Sequence, residues 1–152
     1  MAYWLFKTEP DAFSIEDLRR ATHQTERWDG IRNYQARNFI RDRIEDGDRV
    51  FIYHSQCKPT GIVGLAQVVG NAYVDPAQFD NESPYYDVKA NKANPRWYCV
   101  DIRFVEQFAK MLPLSRLKTE AQLSDLVLLK QGRLSIQPVT ADEAAVLLKL
   151  TQ

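Results

Sequence analysis

The sequence is short of the residues that most chemistry depends on. Two cysteines, Cys57 and Cys99, stand among 152 residues, with no metal-ligand spacing and no dense disulfide framework. There is no GxxxxGK[ST] phosphate loop, no GxGxxG turn and no HExxH helix, which removes the common nucleotide and zinc-hydrolase signatures. No apolar run approaches the ~18 residues of a membrane span. The opening Met-Ala-Tyr-Trp-Leu-Phe-Lys lacks the charged segment and long apolar stretch of a secretion signal. Net charge is also absent, at zero. A strong non-specific DNA binder normally carries an overall positive field, so any nucleic-acid contact here has to use a local patch. These absences lead to the expectation of a soluble, cytoplasmic chain with no cofactor, no metal and no membrane partner, and a monomer as the favoured state.

What is present suits a folded domain. Hydrophobic content of 45% and charged content of 26% are ordinary for a globular protein. The length, with no repeat, linker or low-complexity segment, predicts a single domain over 1–152. Charge is uneven: Val88 to Lys118 holds seven lysines and arginines against Asp101 and Glu106. That segment is either a cationic patch or a solvated strand face with loop lysines.

Hydrophobic spacing lays out the elements. Tyr3–Thr8 reads as an aromatic-rich strand ended by Pro10. Ser14 and Asp17 form a capping box for a short helix through Leu18, and a second helix begins near Asn33 with Ala36, Phe39, Ile40 and Ile44 as its buried stripe. Arg49–His54 and a long segment from about Ile62 to Val74 read as strands, the latter bent at Gly64 and Gly70. Residues 76–95 read as a loop, and alternation from Tyr98 to Phe104 predicts a half-buried strand. The last third reads as helical. One helix runs through Leu126 to Leu129, and another is opened by a Thr140/Glu143 capping box. Strands and helices do not alternate regularly, which argues against a doubly wound parallel sheet. The expected class is α+β: a small mixed or antiparallel barrel, its sheet strongly curved, decorated by short helices.

Four segments offer chemistry. In Trp28-Asp29-Gly30-Ile31-Arg32-Asn33-Tyr34 a tryptophan on a glycine turn precedes a helix N-terminus, so its ring and the adjacent N–H groups can meet a ligand. Asn33 is equally a helix cap and Trp28 equally core volume. Tyr53-His54-Ser55 ends a strand where a pocket mouth would lie. His54 with Cys57 lacks the orienting group and oxyanion site of a nucleophilic dyad. The loop from Phe79 to Trp97 mixes Tyr85 and Trp97 with cations, which suits a stacked base beside its phosphate. Arg133-Leu134-Ser135 follows a glycine and returns polar groups to a rim.

Taken in order, these blocks resemble one family. Tyr3-Trp4-Leu5-Phe6-Lys7-Thr8-Glu9-Pro10 looks like the opening motif of the EVE domain, and Trp28 to Phe39 resembles its next block. Tyr53-His54-Ser55, Gly61-Ile62-Val63-Gly64, Tyr85-Tyr86-Asp87, Pro95-Arg96-Trp97 and Gln131-Gly132-Arg133-Leu134-Ser135 continue the series. The resemblance covers nearly the whole chain. It implies a PUA-like pseudo-barrel, a fold shared with the YTH readers of N6-methyladenine, and a reader of modified cytosines or adenines in DNA or RNA. It places the pocket at Trp28, the stacking ring, with Lys7, Asn33, Tyr34, Ser55, Arg133, Leu134 and Ser135 around it and Tyr53 beside it. Tyr85 and Trp97 are candidates for the other aromatic walls.

The implied partner is a nucleic acid presenting a flipped or single-stranded modified base. Two rival readings stand beside this one. A small nucleoside hydrolase of the ASCH type would use Lys7 with Glu9 or Asp87 as its acid–base pair. A protein-interaction module would keep the pocket only as a vestige.

Overall fold

A computed structural model describes residues 1–152. Its centre is a six-stranded mixed sheet of β1 (Tyr3–Thr8), β2 (Thr25–Trp28), β3 (Arg49–His54), β4 (Gly61–Val74), β5 (Tyr98–Pro113) and β6 (Ile136–Val139), in the order β2-β5-β4-β3-β1-β6. β1 runs parallel to β3, and every other pairing is antiparallel. The sheet does not close into a barrel, since β2 and β6 remain its edges. Three register shifts between β4 and β5 bend the two longest strands. Gly70 takes a φ of +79° at one of these shifts. At Gly64 a Cβ would fall 2.6 Å from the Glu106 carbonyl oxygen, so only glycine permits that approach of the strands.

Both faces of the sheet are buried, because successive side chains point to opposite sides. Trp4 and Phe6 of β1, with Val50 and Ile52 of β3, enter one core. Helices α1 (Ile15–Arg20) and α2 (Tyr34–Asp42) cover it through Ile15, Leu18, Ala36 and Ile40. Leu5, Phe51 and Tyr53 enter the other, under α3 (Leu114–Leu117), α4 (Val127–Lys130) and α5 (Ala141–Leu150). The expected caps form. Ser14 and Asp17 bond reciprocally, as do Thr140 and Glu143, while the Asn33 Oδ1 accepts from the Ala36 N–H at 2.9 Å. Each such cap contributes about 1 kcal/mol.

Four elements differ from the sequence reading, the first being β5, which runs past Phe104 to Pro113 because it stays paired with β4. β2 is a four-residue edge strand, too short to show a period, defined by its pairing with β5. β6 lies in a stretch read as helical. It contains Pro138, which lacks a ladder donor and is tolerated because β6 is an edge. The helix expected through Leu126 to Leu129 begins only at Val127, since Leu126 is extended with ψ of 130° and separates α4 from the 3₁₀ turn Ala121–Leu123.

Candidate functional site

Where β1 and β2 end, the sheet leaves an open cleft of about 610 Å³. Lys7, Phe13, Trp28, Asp29, Tyr85 and Ser135 are among its walls. Trp28 closes β2 opposite Val100. Its ring lies 5.7 Å from that of Phe6, and Phe13 meets it edge-on at 5.8 Å and 81°. At 8% exposure Trp28 is a core residue whose outer surface forms the cleft.

The turn after Trp28 is held by a buried carboxylate. Asp75 has no exposed side-chain surface, and it accepts from the Gly30 N–H at 3.0 Å, the Ala77 N–H at 2.8 Å and Arg32 Nη1 at 3.0 Å. The Arg32 guanidinium also donates to the Tyr85 carbonyl at 2.6 and 3.1 Å, and it sits 5.6 Å from the Tyr85 ring and 5.4 Å from the Trp97 ring. One cation therefore ties the Trp28-Asp29-Gly30 turn to the loop that carries Tyr85.

Two charges in the cleft are perturbed. The Lys7 ammonium donates to the Gly132 carbonyl and lies 5.6 Å from the Tyr53 ring, and burial lowers its pKa. Burial raises the Asp29 carboxyl above the usual range, and the nearby Asp75 charge adds to the effect.

Four residues named from the sequence thus meet at the cleft: Lys7, Trp28, Tyr85 and Ser135. The others lie elsewhere. Asn33 caps α2. Tyr34, half exposed, stacks on Trp97 at 4.8 Å and 28°, and Arg37 covers its ring at 4.8 Å. Trp97 is buried and donates its indole N–H to Asp87 at 2.7 Å, which holds the Asp87 carboxyl below its ordinary pKa. The Ser55 N–H bonds the Thr8 carbonyl at 2.9 Å at the end of β3. Tyr53 and Leu134 are buried in the two cores, and Arg133 is exposed. His54 and Cys57 form no dyad, because the His54 Nε2 accepts from the Ile15 N–H at 3.1 Å.

Phe13 and Asp75 are contributors that motif reading did not name, and Asp29 stood in the Trp28–Tyr34 segment without a role of its own. Asp75 just before Pro76 carried a turn-capping signal, whereas Phe13 in a loop carried none.

The fold and this cleft can be set beside known proteins. The EVE domain family model matches residues 2–150. Thymocyte nuclear protein 1 of Homo sapiens is 42% identical over 168 residues, covering 99% of this chain and 74% of that protein. A crystal structure of the human THYN1 protein in complex with 5-methylcytosine-containing DNA superposes with a TM-score of 0.95 at 41% identity, covering 100% of this chain and 98% of that one. A crystal structure from Pseudomonas syringae gives 0.93 at 48% identity, covering 99% of this chain and 100% of that one. On these matches the chain belongs to the EVE domain family.

Proposed function

We propose that this protein is a non-catalytic reader of modified DNA that takes one modified base, 5-methylcytosine in the first instance, into the cleft beside Trp28. The observation that carries this reading is an aromatic cleft of about 610 Å³, within the roughly 300–1,000 Å³ of small-ligand sites, in a chain so similar to a protein solved with 5-methylcytosine DNA. A flipped base slides against the outer surface of Trp28 with Phe13 and Tyr85 as side walls. Stacking of this kind contributes ~1–3 kcal/mol per base. Burying the added methyl contributes roughly 0.8 kcal/mol more, about a fourfold preference. Extruding a base from a duplex costs a few kcal/mol, so a single-stranded or mismatched target binds better than a perfect duplex. Asn33, Tyr34, Ser55, Arg133 and Trp97 then act behind or beside the cleft, as supports or as contacts to the flanking strand.

The test is a titration of labelled single-stranded oligonucleotides that carry cytosine, 5-methylcytosine or N6-methyladenine at one position. Selective binding of one modified base supports the reading, and equal, weak binding of all three sinks it. One observation favours the hydrolase alternative: Lys7 and Glu9 share the cleft, and Lys7 is desolvated. Asp87 is less suited to that role, since Trp97 and the Lys89 N–H occupy its carboxylate. Release of a free base or an altered nucleoside during the titration would establish the enzyme instead.

A further inference from the structure

We infer that Asp29 determines which base the cleft accepts, by pairing with the amino group and adjacent ring nitrogen of a cytosine-type or adenine-type base and disfavouring thymine; this rests on the modified-base reading above. Asp29 follows the Trp28 platform directly and lines the same cleft. The neighbouring carboxylate, Asp75, has its oxygens taken by Gly30, Ala77 and Arg32. No other side chain donates a hydrogen bond to Asp29; its own backbone N–H is the one donor, and Arg27 and Arg32 act on it through charge alone, which leaves an acceptor for a ligand.

The chemistry of the bases decides what such a group reads. Cytosine and adenine present an exocyclic N–H donor beside a basic ring nitrogen. One carboxyl oxygen accepts from that amine, and the other shares a proton with the ring nitrogen. Thymine has an N–H in place of the basic ring nitrogen and a weakly basic carbonyl oxygen in place of the amine, so it has no ring nitrogen with which the carboxyl can share a proton. Because 5-methylcytosine and thymine carry the same methyl on the same ring, stacking and methyl burial cannot separate them. An edge-reading group has to do so. Burial first, and then the Asp75 charge, raise the Asp29 pKa against the opposing charges of Arg27 and Arg32, and this eases sharing of that proton.

Glu26 is the competing carboxylate. It also lines the cleft, two residues before Trp28 on β2 and hence on the same face of that strand. Asp29 is preferred because it adjoins Trp28 on the turn that lines the cleft and is partly desolvated, which strengthens a hydrogen bond to a base.

The experiment measures anisotropy of single-stranded oligonucleotides bearing 5-methylcytosine or, at the same position, thymine. Wild type, Asp29→Ala, Asp29→Asn and Glu26→Gln are compared between about pH 6 and about pH 8, with melting curves to verify folding. Wild type should prefer 5-methylcytosine by about tenfold, the scale of one good two-point base contact, and the preference should shrink as pH rises. Asp29→Ala should bring the ratio near one. Asp29→Asn, whose amide pairs with either base and cannot titrate, should lose both the preference and its pH dependence. Glu26→Gln should keep both. A folded Asp29→Ala that retains the wild-type ratio overturns the proposal, as does loss of the ratio in Glu26→Gln alone. If wild type binds neither oligonucleotide, the modified-base reading itself fails and this assignment fails with it.

Discussion

The ring of Tyr85 lies directly on the backbone of Gly30: a Cβ built on Gly30 would come within 2.6 Å of the Tyr85 Cζ. Gly30 also holds a φ of +77°, where a side chain costs roughly 1–2 kcal/mol. Position 30 is therefore doubly restricted to glycine. Gly30→Ala should lower stability by about 1–2 kcal/mol in urea denaturation. It should also weaken oligonucleotide binding, because Tyr85 has to leave its wall. Unchanged affinity in a folded Gly30→Ala would remove Tyr85 from the site.

Arg32 is the clasp of that arrangement. Removing it leaves Asp75 fully buried with two backbone N–H groups but no counter-cation. Arg32→Ala should therefore cost about 3 kcal/mol, the scale for stranding one member of a buried pair. Arg32→Lys should recover little of it, since one ammonium cannot reach Asp75 and the Tyr85 carbonyl in the same fork. Denaturant unfolding of both variants checks this. Near-complete rescue by lysine would mean that charge alone, and not the fork, holds the loop.

The sequence was informative wherever structure is local. The caps at Ser14, Asn33 and Thr140 depend on neighbours three residues away, and the positive φ at Gly70 is the glycine's own. It was silent where partners are distant. Asp48 stands in the acidic stretch Glu45-Asp46-Gly47-Asp48, where nothing nearby marks its role. Its carboxylate is buried and accepts from the Trp4 indole, the Ala2 N–H and the Glu45 N–H, each at 2.9 Å. Likewise nothing near Arg32 indicates that its acceptors lie more than 40 residues away, at Asp75 and Tyr85. Trp28 lines the cleft, whereas Tyr34 and Trp97 stack on each other outside it.

His54 makes stability depend on pH. Burial lowers its pKa below the ordinary 6.5, with Asp17 opposing the shift, and its Nε2 accepts the first N–H of α1. Below about pH 6.5 the unfolded chain takes up a proton that the folded chain resists, so stability falls as pH drops through that window. The partly buried Asp29 carboxyl, with its raised pKa, works in the opposite direction. The diagnostic is therefore the difference between wild type and His54→Gln, whose amide oxygen can still accept from Ile15 but cannot titrate. Thermal melts at about pH 7.5 and about pH 5 should show a smaller loss for the variant. Parallel losses would mean that His54 is protonated in the folded state as readily as outside it.

Trp28 is asked to serve two roles, and they can be separated. Because it packs on Phe6 and Phe13, Trp28→Ala should cost about 3–5 kcal/mol. Lost binding in that variant would therefore not identify a binding contact. Trp28→Phe keeps an aromatic surface and most of the packing. The other two tryptophans are buried against fixed partners, Trp4 on Asp48 and Trp97 on Asp87, and neither lines the cleft. Fluorescence quenching on addition of a 5-methylcytosine oligonucleotide should therefore come from Trp28. Trp28→Phe should abolish the quenching while anisotropy still records binding, weakened by about 1 kcal/mol for the smaller ring. Quenching that persists in Trp28→Phe would locate the base on the half-exposed ring of Tyr34, which stacks on the buried Trp97.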